Sequence, residues 1–182
     1  MSKTPDRRMP ALPVALLAWL LALPFPAPAN NDKSTTTMEV IRLADWPAVV
    51  ADAQPDVLVV DIWASWCISC IERFPEMVAM AARYQGRGVS FLTLNLDDPK
   101  DVEGIEWSNG FLARIGADFP NYHLQENLTE SFEALDLLAI PVVLIYDGQG
   151  EERYRLTNDN PNDQFTKADI EAAVQALLAE KG

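Results

Sequence analysis

The apolar run Val57-Leu58-Val59-Val60-Asp61-Ile62-Trp63 is followed within a few residues by Trp66-Cys67-Ile68-Ser69-Cys70, which holds the only two cysteines of the chain. The run predicts a strand from Val57 to Ala64, buried on both faces as in a parallel sheet. From Ile68 to about Tyr84 the pattern is helical, with Ile71, Phe74, Met77, Val78 and Ala81 on one apolar stripe. Pro75 falls inside that helix and is expected to kink it. The cysteines thus sit where a buried strand turns into a helix. Unpaired backbone N–H groups and the positive end of the helix dipole favour a thiolate there, and the thiolate is the reactive form. With no third cysteine, the pair can cycle with itself, bind something jointly, or exchange with a partner. The closed loop is too short for a useful structural staple, because it removes little entropy from the unfolded chain.

The rest of the chain supplies the elements of an α/β sandwich with a mixed sheet. Val40 to Ala53 reads as a helix with Leu43, Trp46, Val49 and Val50 inward. Gly86-Arg87-Gly88 suits a left-handed cap after the cysteine helix. Val89 to Leu96 is a strand that stops at Asp97-Asp98-Pro99, and Val102 to Ile115 is a helix. Phe119 to Gln125 reads as a short strand and Asn127 to Leu137 as a helix. Asn127-Leu128-Thr129 matches a glycosylation acceptor, though a helix cap is the simpler reading. Leu138 to Tyr146 contains a second buried strand with Pro141 at its entrance, where proline is tolerated. A hairpin across Asp147-Gly148-Gln149-Gly150 leads to Glu152 to Leu156. Thr166-Lys167-Ala168-Asp169 resembles a capping box opening a last helix to about Ala179.

These residues together resemble the thioredoxin superfamily over roughly residues 38–182. The tract Val60 to Cys70 is similar to its active-site strand and turn, Pro75 to its helix kink, Ile140-Pro141 to its cis-proline loop, and Asp61 to the buried acid beneath its cysteines. The segment between Asp97 and Leu138 and the N-terminal leader resemble the extracytoplasmic TlpA/ResA-type branch. The resemblance implies a three-layer sandwich, a central mixed sheet with helices on both faces. It also implies a dithiol–disulfide cycle without a cofactor, and partner contacts at Trp66, Ile140 and Pro141. Trp66 is further expected to pack over Cys67.

Two departures stand out. Many thioredoxins place a lysine beside the buried acid, on the strand where this chain has Thr93. Without that ammonium, Asp61 is expected to protonate more readily. Some extracytoplasmic relatives place a glutamate three residues after the second cysteine; this chain has Arg73 there, with Glu72 beside it, and Arg73 either lowers a cysteine pKa or, as the simpler expectation, faces solvent.

The leader constrains the compartment. Lys3, Arg7 and Arg8 precede an apolar core from Val14 to Leu23, followed by Ala27-Pro28-Ala29. That is the pattern of a secretory signal peptide over residues 1–29, and the core is short of the ~20 residues needed to span a bilayer. An uncleaved anchor is the alternative; either way the folded part is expected outside the cytoplasm, most plainly in a periplasm. Residues 30–37 read as a flexible stub and 38–182 as one domain. The formal charge of −13 becomes −15 once Lys3, Asp6, Arg7 and Arg8 leave with the leader. Such a balance excludes nucleic acid and anionic membrane surfaces as partners. A monomer is expected.

In an oxidising compartment a lone C-x-x-C implies a catalytic disulfide that must be reset, and hence a membrane electron donor. Cys67, at the exposed edge of the helix start, is expected to attack partner disulfides, and Cys70, one turn in, to resolve them. A buried thiol ionises poorly, so Cys70 needs a base, for which Asp61 is the candidate. Replacing Asp61 by Asn is expected to slow resolution and, by removing a desolvated carboxylate, to stabilise the fold. Ile68-Ser69 lacks the histidine of strongly oxidising relatives, which leans the chain towards a reductant of protein disulfides. A disulfide oxidase or isomerase uses the same chemistry. A copper chaperone using both thiolates belongs to another class, with His123, otherwise a structural residue, as its only further ligand. Covalent haem attachment is excluded because Ile71 follows Cys70.

Overall fold

The computed structural model describes residue 1 and residues 37–53, 55–162 and 164–180. The chain divides into two compact units, Met1–Asp32 and Lys33–Gly182; all that follows concerns the second. The predicted signal peptide and almost all of the stub lie outside the described residues. Among the described residues no helix is long and apolar enough to cross a membrane.

The elements run β1 (Glu39–Ile41), α1 (Trp46–Ala53), β2 (Val57–Trp63), α2 (Ile68–Tyr84), β3 (Val89–Asn95), α3 (Val102–Ile115), β4 (Asn121–Leu124), α4 (Leu128–Ala134), β5 (Val142–Asp147), β6 (Glu152–Thr157) and α5 (Lys167–Ala179). They form one six-stranded sheet in the order β1-β4-β3-β2-β5-β6. β2, β3, β4 and β1 pair in parallel, whereas β5 and β6 are antiparallel. Every residue of β2 is buried, as its unbroken apolar run requires.

The first predicted helix begins too early. Glu39–Ile41 forms an edge strand against Tyr122–Leu124, a 3-10 turn spans Leu43–Asp45, and the helix starts only at Trp46. Three residues paired across more than eighty positions of chain leave no local signature. Trp46 and Val50 nevertheless face inward as expected.

Alternation along the central strands separates two faces. Leu58, Val60, Ile62, Leu92, Leu94 and Leu144 pack with Trp46 and Val50 of α1 and with Phe132 of α4. Val57, Val59, Val143 and Ile145 pack on the other face against Met77 and Met80 of α2 and Ile170 and Val174 of α5. Towards the end of β2 and the first half of α2 this second face becomes aromatic. Trp63, Phe74 and Phe111 meet at ring centroids of 4.9, 5.3 and 5.8 Å, next to both cysteines.

Local signals work where they are self-contained. α5 opens with the Thr166–Asp169 capping box. Asn127 caps α4 by accepting from Glu130 N at 3.1 Å, which bears out the cap reading of that asparagine. The free edge of the sheet, β6, carries charge: Arg155 pairs with Glu152 at 2.7 Å, and Arg153 with Asp147 and Glu180 at 3.1 Å each.

Candidate active site

Cys67 is the N-cap residue of α2, and its sulfur accepts from Cys70 N at 3.3 Å. The two cysteines are disulfide-bonded to each other. The order of exposure is as expected but compressed: Cys67 is 6% exposed and Cys70 not at all. Ser69 Oγ lies 3.7 Å from the Cys67 sulfur.

Around this mouth the surface is apolar. Trp66, the residue before Cys67, is 51% exposed, and Ile68, the residue after it, is 73% exposed. Leu138 is 83% exposed, two residues before the loop that enters β5. The Ile140–Pro141 bond of that loop is cis, as expected. Pro141 is buried, and the half-buried Ile140 packs against the cluster that contains Cys67 and Cys70.

In the strand that leads to the cysteine turn, Asp61 is fully buried, in register with Thr93 on one side and Val143 on the other. Neither neighbour carries a charge. The charge comes from α2: Arg73 Nη2 donates to Asp61 Oδ1 at 2.6 Å, and the Arg73 side chain is only 10% exposed. This corrects the expectation that Arg73 faces solvent. The lysine missing from β3 is replaced by a guanidinium from the helix that carries the cysteines. Arg73 comes three positions after Cys70, about one helical turn, so the two share a side of α2; which side faces the sheet depends on how α2 crosses β2. Asp61 Oδ2, Arg73 Nε and Arg73 Nη1 are buried and unpaired. Phe165, just before α5, covers the guanidinium with its ring centroid 4.9 Å away. Burial raises the pKa of Asp61 above the ordinary carboxylate value, and the Arg73 charge and hydrogen bond oppose that rise in part.

A second buried carboxylate, Asp97, gives no local signal of its role in the sequence. Asp97 Oδ1 accepts from Ser65 N and from Ser65 Oγ, both at 2.8 Å. Its Oδ2 accepts from Asn95 Nδ2 at 2.9 Å and from Ser108 Oγ at 2.6 Å. Ser65 begins the turn to Cys67, so Asp97 anchors that turn to β3 and α3. Gly104 lets the first turn of α3 come this close, since a Cβ there would lie 3.1 Å from Ser65 Oγ and 2.4 Å from Asp101 Oδ2. What the sequence does carry is Thr93, Asn95 and Asp97 at alternate positions among leucines, a polar column on an inward face. His123 belongs to the same structure: it is 3% exposed, with Nε2 2.9 Å from the Asp97 carbonyl oxygen. Among the described residues no group of three or more His, Cys, Asp and Glu is placed to hold a metal ion.

Residues 37–106 match the Thioredoxin family model. The chain is 31% identical over 129 residues to a thiol:disulfide interchange protein DsbE homolog of Paracoccus denitrificans, covering 70% of this chain and 65% of that protein. It is 26% identical over 118 residues to the thiol-disulfide oxidoreductase ResA of Geobacillus kaustophilus, covering 64% and 60%. The chain thus spans a little under two thirds of the curated relatives it matches. A Chlorobium tepidum crystal structure described as a thiol:disulfide interchange protein DsbE superposes with TM-score 0.57 at 26% identity, covering 71% of this chain and 84% of that one.

Proposed function

This chain belongs to the thioredoxin superfamily, and on that premise we propose that it is an extracytoplasmic thiol–disulfide oxidoreductase that reduces disulfides in partner proteins. The observation that carries the reading is the Cys67–Cys70 disulfide at the start of α2, with the half-satisfied carboxylate of Asp61 in β2, the strand that leads into the cysteine turn. In the reduced protein the Cys67 thiolate attacks one sulfur of a partner disulfide and the partner's other sulfur leaves as a thiolate. Cys70 gives its proton to Asp61 and attacks the Cys67 sulfur. The second partner sulfur departs, and Cys67–Cys70 is left oxidised. Two electrons and two protons restore the dithiol; the proposed source is a membrane protein.

Trp66, Ile140 and Pro141 form the proposed contact surface, with the apolar rim of Ile68 and Leu138 around them. An extended partner segment lies along the Ile140–Pro141 loop as an added strand, where main-chain pairing supplies affinity without a sequence requirement. The protein works as a monomer, outside the cytoplasm, after residues 1–29 have served as a signal peptide. The reductive direction rests on Ile68-Ser69: neither side chain offers a cation to stabilise the thiolate, so the disulfide is the favoured form.

Cys70→Ser is expected to trap mixed disulfides with partners and Cys67→Ser to form none, read on non-reducing gels. Capture by Cys67→Ser alone would reverse the roles. Equilibration against glutathione fixes the direction. A midpoint far below that of strong oxidants supports the reductant, whereas one near about −120 mV makes the protein an oxidase.

A further inference from the structure

We propose that Arg73 is the positioning residue for Asp61: it occupies Oδ1, holds the carboxylate as a charged base, and leaves Oδ2 as the oxygen that receives the Cys70 proton. The proposal rests on the thiol–disulfide reading and adds to it a positioning residue for the buried acid.

Four observations carry it. The 2.6 Å contact joins one guanidinium nitrogen to one carboxylate oxygen, so the pair is not a closed two-bond fork. The second oxygen is buried and unpaired, a costly arrangement unless that oxygen has work to do. No other charged side chain reaches Asp61 among the described residues: β3 offers Thr93, β5 offers Val143, and α2 offers Arg73. On its far side Arg73 meets a recess of about 520 Å³ lined also by Glu76, Phe165, Thr166, Lys167 and Glu171. The cation is therefore held from both sides, by the carboxylate inside and by the Phe165 ring outside.

The charge balance explains what the arrangement achieves. Before proton transfer the buried groups are Arg73⁺, Asp61⁻ and a neutral Cys70 thiol. Afterwards they are Arg73⁺, a neutral Asp61 and the Cys70 thiolate. The S–H bond breaks, an O–H bond forms on Oδ2, and the net charge is zero throughout. Without the arginine the same step runs with an uncompensated negative charge in an apolar interior, which burial opposes.

The test is the titration of the Asp61 carboxyl carbon by NMR in the purified, oxidised full chain, with Asp61→Asn assigning the signal. Arg73→Gln is expected to move the midpoint upward by at least about one unit, as loss of a close opposite charge does. Arg73→Lys is expected to return it most of the way. In the reduced protein the acid limb of the resolution rate should move by the same amount, about tenfold in rate per unit on the acid side. Equal midpoints in wild type, Arg73→Gln and Arg73→Lys overturn the proposal, even if the glutamine variant is less stable. If Arg73→Gln does not fold, the wild type decides: its Arg73 Nη signals must shift with the Asp61 midpoint, and their failure to do so overturns the proposal. A wild type that cannot reduce any disulfide sinks the thiol–disulfide reading instead, while the carboxyl titration still judges Arg73.

Discussion

Asp61 and Asp97 are the same residue type at the same depth, 0% and 1% exposed, on adjacent strands or their ends, yet they are built differently. Asp97 has four donors, two on each oxygen, all from neutral groups. Asp61 has one donor, and it is a cation. A carboxylate whose lone pairs are all used is a fastener: taking a proton would break hydrogen bonds that the fold depends on. A carboxylate with one oxygen pinned and the other idle can change protonation without dismantling its surroundings. Satisfaction of the hydrogen-bonding capacity, more than burial, separates the structural acid from the one proposed to react.

The sharpest way to break this comparison is to remove the fastener. Asp97→Ala is expected to cost about 3–5 kcal/mol, because Ser65 N, Ser65 Oγ, Asn95 and Ser108 lose their acceptor in the interior. Urea denaturation measures it. The rate of disulfide resolution per folded molecule should stay within about tenfold of wild type; a loss as large as that of an Asp61 variant would erase the distinction.

Asp61→Asn is expected to do the reverse. Resolution of the mixed disulfide at neutral pH should slow by about ten- to a thousandfold in stopped-flow measurements, the range of general acid–base assistance and slightly below it. Its effect on stability should be small, within about 1 kcal/mol. The sequence alone argued for stabilisation, but the structure adds Arg73, which loses its counter-ion in the same substitution.

The smallest effect is a change of slope. Burial holds the folded-state pKa of Asp61 above its ordinary value of 3.8. The neutral form is thus the one that folding favours. Its contribution to stability is complete below pH 3.8 and is lost as pH rises through the folded midpoint. The stability of wild type relative to Asp61→Asn should fall across that rise and be level on either side, read from urea midpoints at a series of pH values. A difference that grows with pH would mean that Arg73 outweighs burial.

Much of this was legible in one dimension. The strand, the cysteine turn and α2 are contiguous, so β2 and α2 could be placed from the apolar run and the helical stripe. The box at Thr166 and the cap at Asn127 span a single helical turn each. Asp61 stood out as an acid in an otherwise apolar strand, Cys67 and Cys70 by being alone, and Ile140-Pro141 through the family resemblance. What could not be read depended on which elements cross. Arg73 looks solvent-facing until α2 is laid over β2. Asp97 looks like a loop residue until Ser65 and Ser108 are brought beside it from positions 32 and 11 residues away. β1 exists only because β4 does.

The charged border of β6 has a consequence for self-association. A sheet edge with free main-chain groups is open to any extended segment, including one from another copy of the same chain. The proposed mode of action asks this protein to take in an extended partner segment at the Ile140–Pro141 loop, so backbone hunger there is useful and elsewhere is harmful. Arg153 and Arg155, tied to Asp147, Glu152 and Glu180, coat the β6 edge with hydrated side chains that a pairing strand would have to strip. At the opposite edge β1 offers only Glu39–Ile41, too little length to template a second chain. The molecule keeps its stickiness in one place.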